Sequence, residues 1–127
     1  MPERSSFDYA VIRVAPSVER EEFINAGIIL YCRTQGFLHA KIIRNFEKLK
    51  AFAPEISLQN IRKQLESIPK ICTGGKEAGD LGKLSQSERF NHLVAPKSAM
   101  IQSSPVHCGL CDDPQAQLEK LYSALVE

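Results

Sequence analysis

Apolar residues fall on both parities of the first segment, Phe7 to Val14. Tyr9 and Val11 lie on one side, Ala10, Ile12 and Val14 on the other. A strand with two apolar faces belongs in the middle of a sheet that is covered on both sides. Pro16 offers no ladder donor and is expected to end this strand. Ser17 to Asn25, rich in acid through Glu19, Glu21 and Glu22, reads as a loop or a short helix. Gly27 to Arg33 and Phe37 to Ile43 read as two more strands. The short turn Thr34-Gln35-Gly36 between them is a hairpin signal. The period then changes. Asn45 to Phe52 reads as a short helix ended by Pro54. Ser57 can cap the next helix, in which Leu58, Ile61, Leu65 and Ile68 recur at helical spacing until Pro69, the expected stop. Thr73 to Leu84 reads as loop. Ser85 and Glu88 form a capping-box pattern, predicting a helix to about Val94 with Pro96 closing it. Ser98 to Ser103 reads as a fourth strand. Asp113-Pro114 is a strong helix start, and Leu118, Leu121, Tyr122 and Leu125 give that last helix its buried stripe.

Strand, hairpin, helices, strand, helix is not a βαβ alternation, so a doubly wound parallel sheet is disfavoured. The expectation is one α+β domain over residues 1–127, with residues 1–6 a flexible lead. Its sheet is mainly antiparallel, about four strands, with helices packed on it. Composition agrees: 43% hydrophobic and 24% charged residues argue against a disordered chain. The net charge of +1 supplies no global field for nucleic acid or an acidic membrane. No apolar run approaches the roughly 20 residues of a spanning helix. No apolar signal core follows Met-Pro-Glu-Arg-Ser-Ser. A cytoplasmic location is therefore expected, with the four cysteines as reduced thiols.

Five features carry candidate chemistry. Cys108-Gly-Leu-Cys111 precedes a helix start, where a thiolate is stabilised, but Asp112 and Asp113 beside it raise a thiol pKa. A zinc site needs two more ligands, and Cys32, Cys72, His39, His92 and His107 form no second close pair. Neither metal nor cofactor is expected. Thr73-Gly-Gly-Lys76 can cradle an anion, yet it lacks the phosphate-loop pattern and reads first as a connector. Arg13, inside an apolar strand, is expected to be buried and paired with a carboxylate, Glu22 first; its sharper reading is a bidentate clamp for an anion. Ser104 and His107 invite a nucleophile–base reading that no G-x-S-x-G elbow supports. Lys41, Arg44, Lys48, Lys50, Arg62 and Lys63 form a basic cluster without aromatic interleaving, read as a solvated face.

The string Tyr9-Ala-Val-Ile-Arg-Val14, then Pro16, then Arg20-Glu-Glu-Phe-Ile-Asn-Ala-Gly27-Ile-Ile-Leu30 resembles the start of a bacterial family, domain of unknown function 3037. The resemblance runs on through Cys72-Thr-Gly-Gly75, Glu88-Arg-Phe90, Pro96-Lys-Ser98 and Ser104-Pro-Val-His107, spanning Tyr9 to Val126. It implies no activity. It does imply a partner, since members are often encoded beside HipA-like kinase-fold proteins. Two functions compete. One is a binding or regulatory protein that docks on such a partner. The other is a small enzyme or ligand-binding domain gathering Arg13, Asn25, Lys76, Arg89, Lys97 and His107 around an anionic small molecule. The Gly-rich loop, the short helix after it and the Ser104 to His107 turn are expected to meet at one end of the sheet, bringing Lys76, Arg89 and His107 together.

Overall fold

A computed structural model of the chain describes residues 4–17, 22–95 and 100–127. Its frame is a mainly antiparallel sheet of five strands: β1 (Ser5–Ser17), β2 (Glu22–Cys32), β3 (Phe37–Ile42), β4 (Ile101–Ser103) and β5 (His107–Cys111). The order is β3-β2-β1, with β4 and β5 lying end to end on the outer side of β1. The two-sided apolar pattern of β1 places it centrally, as expected. Ala10, Ile12 and Val14 join a core under α1 (Glu47–Phe52), α2 (Leu58–Thr73) and α3 (Gln86–Val94). Phe7 and Val11, with Tyr9 beside them, join a second core under α4 (Pro114–Leu125). The molecule is α+β, with a helical layer on each face of one sheet.

Five local expectations change. Pro16 does not end β1; it sits in an irregular stretch of the ladder between Val14 and Ser17, where a missing donor is tolerated. The acidic stretch is strand from Glu22 onward, because Ile24 and Ala26 pack on the helical core. Pro69 lies inside α2, which continues to Thr73 because its last turn is held from outside by Arg89. Lys76–Lys83 forms a 3₁₀ segment kinked at Gly79 rather than a loop. His107–Cys111, given no element by the sequence pattern, is a strand: its backbone pairs with the free edge of β1 from Ser5 to Tyr9. Ser5 and Ser6 thereby belong to the sheet.

The caps follow the sequence. Ser57 accepts from the Asn60 N–H, Ser85 and Glu88 close a reciprocal capping box, and Asp113 accepts from the N–H groups of Gln115 and Ala116 with Pro114 behind it. Among the described residues, no helix is long and apolar enough to cross a membrane.

Candidate functional site

β1 and β2 bring Arg13 and Asn25 together as register partners. An extra residue on β2 makes this possible. Ile12 pairs with Gly27 but Arg13 with Asn25, so Ala26 is a bulge residue and the side-chain phase of β2 shifts there. Ile24 and Ala26 therefore face the α2 core, while Phe23 and Asn25 turn to the α4 side with Arg13. The Arg13 guanidinium stacks on Phe23, its carbon 4.1 Å from the centre of the ring. Glu19, one of the carboxylates that could pair with it, lies outside the described residues. Asn25 donates to the carbonyl of Leu125 at 2.9 Å, tying the end of α4 to the sheet. The Arg13 Nε and the Asn25 Oδ1 are buried without a hydrogen-bond partner.

Lys76, Arg89 and His107 do not converge. Arg89 is 8% exposed and points inward, donating through Nη1 to the carbonyls of Ile71 (2.9 Å) and Cys72 (2.6 Å) and through Nε to that of Leu84 (3.1 Å). It caps the end of α2. Gly74 makes room: a Cβ there would lie 2.7 Å from Nη1, and φ of +80° suits glycine. Gly75 and Gly82 then meet, the Gly75 N–H donating to the Gly82 carbonyl at 3.4 Å. The glycine-rich stretch thus serves packing. Lys76 is exposed on the 3₁₀ segment beside α2. His107 is on the opposite face, exposed, its ring 5.3 Å from Tyr9. Lys97 lies outside the described residues.

Ser104 is equally committed. Its hydroxyl accepts from the Val11 N–H at 2.8 Å and donates to the Pro105 carbonyl at 2.9 Å, and its own N–H donates to the Val11 carbonyl. It continues the ladder where β4 stops and β5 has not begun. Cys108 and Cys111 sit three residues apart on one strand, so their side chains leave opposite faces. Cys108 is exposed. Cys111 is buried in the α4 core near Cys32, its pKa raised by burial first, then by Cys32, Asp112 and Asp113.

The open polar space lies elsewhere, at the corner where β3 runs into α1. Three cavities of about 450, 330 and 410 Å³ meet there, and Arg44 lines all of them. The first lies between Ala40–Arg44 and the α2 side chains Arg62, Glu66 and Pro69. The second has an apolar floor of Ile24, Leu49 and Val126 and a polar rim that includes Asn25, Arg44 and Lys48. Arg62 stacks 4.8 Å from the Phe46 ring centre, which holds its charge at the mouth of the third. Of the basic cluster read as a solvated face, Lys41, Arg44, Lys48, Lys50 and Arg62 line these grooves, and all of these but Lys41 are exposed. Helical spacing sets Arg62 at the border of the Ile61–Leu65 stripe, but only the tertiary fold brings it beside Arg44, eighteen residues earlier.

The sequence profile of a family described as Protein of unknown function (DUF3037) matches residues 9–126. No curated protein matches the chain. No solved structure matches it.

Proposed function

The chain belongs to the DUF3037 family, and from that premise we propose that it is a small cytoplasmic binding or regulatory protein that works by docking on a partner protein. One observation carries this reading. Ser104 and Arg89 are used to hold the fold, while Arg44, Arg62 and Lys48 stand around open grooves at one corner. Cations gathered beside exposed backbone suit recognition of a complementary surface better than bond-making. The partner proposed is a HipA-like kinase-fold protein, the class that the family resemblance implies. The test is a binding titration between the purified chain and a purified HipA-like kinase-fold protein. A saturable one-to-one complex, weakened about tenfold or more by Arg44→Glu with Arg62→Glu, supports the reading. No complex at high micromolar concentrations overturns it.

Asn25 supports a second reading, recognition of an anionic small molecule. Its buried Oδ1 lacks a partner and borders the cavity that Arg44 and Lys48 also line. A donor-bearing anion such as a nucleotide or a hydroxy acid matches that set. Thermal-shift screening with phosphate, citrate and ATP decides it. A rise in melting temperature that Arg44→Ala abolishes favours the small molecule, and a flat response with all three rejects it.

A further inference from the structure

The sheet ends at β3, Phe37-Leu-His-Ala-Lys-Ile42, whose outer side no described strand pairs. The phase of its hydrogen bonds follows from one contact. The Ile43 N–H donates to the Ala26 carbonyl at 2.9 Å. Antiparallel partners alternate between bonded and non-bonded pairs. The register of β2 with β3 then turns the backbone of Phe37, His39 and Lys41 toward β2, and that of Leu38, Ala40 and Ile42 outward. Natural edges are guarded by proline, bulges or free charge. β3 has no proline, and its ladder with β2 runs without a register shift. Its one charged side chain, Lys41, is bound to Glu119 and lies 4.5 Å from the Tyr122 ring centre. Leu38, 1% exposed, is closed to a partner, but Ala40 and Ile42 are half-buried, and the edge is open to pairing there.

Beside this edge runs the cavity of about 450 Å³ bounded by α2. A strand added to β3 sends alternate side chains toward α2, where Arg44 and Arg62 outnumber Glu66. We infer that β3 is a docking edge for an extended segment of a partner protein that carries carboxylates at alternate positions. A second copy fits less well, because β3 has a lysine and a histidine but no acid to offer the same groove. This inference rests on the partner-docking function and adds the surface and the chemistry of the occupant.

The probe is a fluorescein-labelled peptide of alternating Val and Glu. Its controls are the Val and Lys equivalent and a Val and Glu peptide interrupted by proline. The expected result is saturable binding of the first peptide alone, with slowed amide exchange at Ala40 and Ile42. Ala40→Pro removes an outward donor without touching the β2 ladder, and Arg44→Glu with Arg62→Glu reverses the groove charge; each should weaken binding about tenfold or more. Circular dichroism on each variant confirms the native fold. Equal binding of acidic and basic peptides, or unchanged exchange at those amides, overturns the inference. So does sedimentation showing a dimer that Ala40→Pro dissolves. If the kinase-like protein binds wild type and Ala40→Pro equally, the docking edge is wrong and the partner function stands. If it binds neither, the partner function fails and the peptide titration still decides the edge.

Discussion

Arg89 is the residue whose role changes most between sequence and structure. Its buried guanidinium is solvated by three backbone carbonyls instead of an anion, two of them from the end of α2. Arg89→Ala removes charge-assisted bonds and strands those acceptors, so it should cost about 3 kcal/mol in urea unfolding. A loss below about 0.5 kcal/mol, the scale of an ordinary surface change, would contradict the capping role. Cys72, 2% exposed and near Arg89, carries a pH signature. Burial pushes its thiol up from 9.0 to about 12, with Arg89 opposing. The folded chain therefore holds this proton after the unfolded chain has released it. The contribution to stability is complete below pH 9 and declines as pH rises from 9 toward 12, at up to about 1.4 kcal/mol per pH unit. Unfolding curves at pH 8 and 10 should show a shallower decline in Cys72→Ala than in wild type, and parallel declines would refute the assignment. Thiol titration adds a check: Cys108 should react quickly in the native protein, and Cys32, Cys72 and Cys111 only on unfolding.

Among the elements, the junction of β4 and β5 is the least obvious. Two short strands share one long edge of β1, and neither covers Val11. Ser104 fills the gap by bonding both the N–H and the carbonyl of Val11. Ser104→Ala leaves a central-strand N–H buried and unpaired, at a cost of about 1–3 kcal/mol. Ser104→Thr keeps the oxygen and should retain more of that stability. Equal melting temperatures for wild type and Ser104→Ala would return the hydroxyl to the list of free groups. β5 itself was hidden in the sequence. His107-Cys-Gly-Leu-Cys111 has a glycine at its centre and exposed residues around it. Gly109 is there because its Cβ would meet the Phe7 ring at 2.9 Å, a contact no local pattern encodes.

At the scale of the whole molecule, two cores lie on opposite faces of one sheet, and β1 and β2 contribute to both. Leu65 is buried in one and Leu118 in the other. Truncation of either to alanine should cost about 2–5 kcal/mol. Because the strands are shared, both variants should shift a single transition in circular dichroism and near-ultraviolet absorbance together. Two separated transitions in Leu118→Ala would mean that α4 unfolds alone. The same layout explains why the five described residues of the six chosen from sequence do not form one site. Arg13, Asn25 and His107 belong to the α4 face, Lys76 and Arg89 to the other helical layer, and the sheet stands between them.

Hydrophobic spacing sufficed for what is local. The two faces of β1, the β2–β3 hairpin, the stripes of α2 and α4, and the caps at Ser57, Ser85 and Asp113 each depend on residues a few positions apart. Tertiary structure alone decided the rest. α2 runs past Pro69 because Arg89, twenty residues later, takes its last carbonyls. β5 exists because β1 is long enough to hold two partners on one edge. Arg44 and Arg62 share a groove because β3 and α2 pack side by side. An arginine's hydrogen bonds, an edge strand's partner and a groove's charge all depend on groups distant in the chain, and no period of 2.0 or 3.6 residues records them.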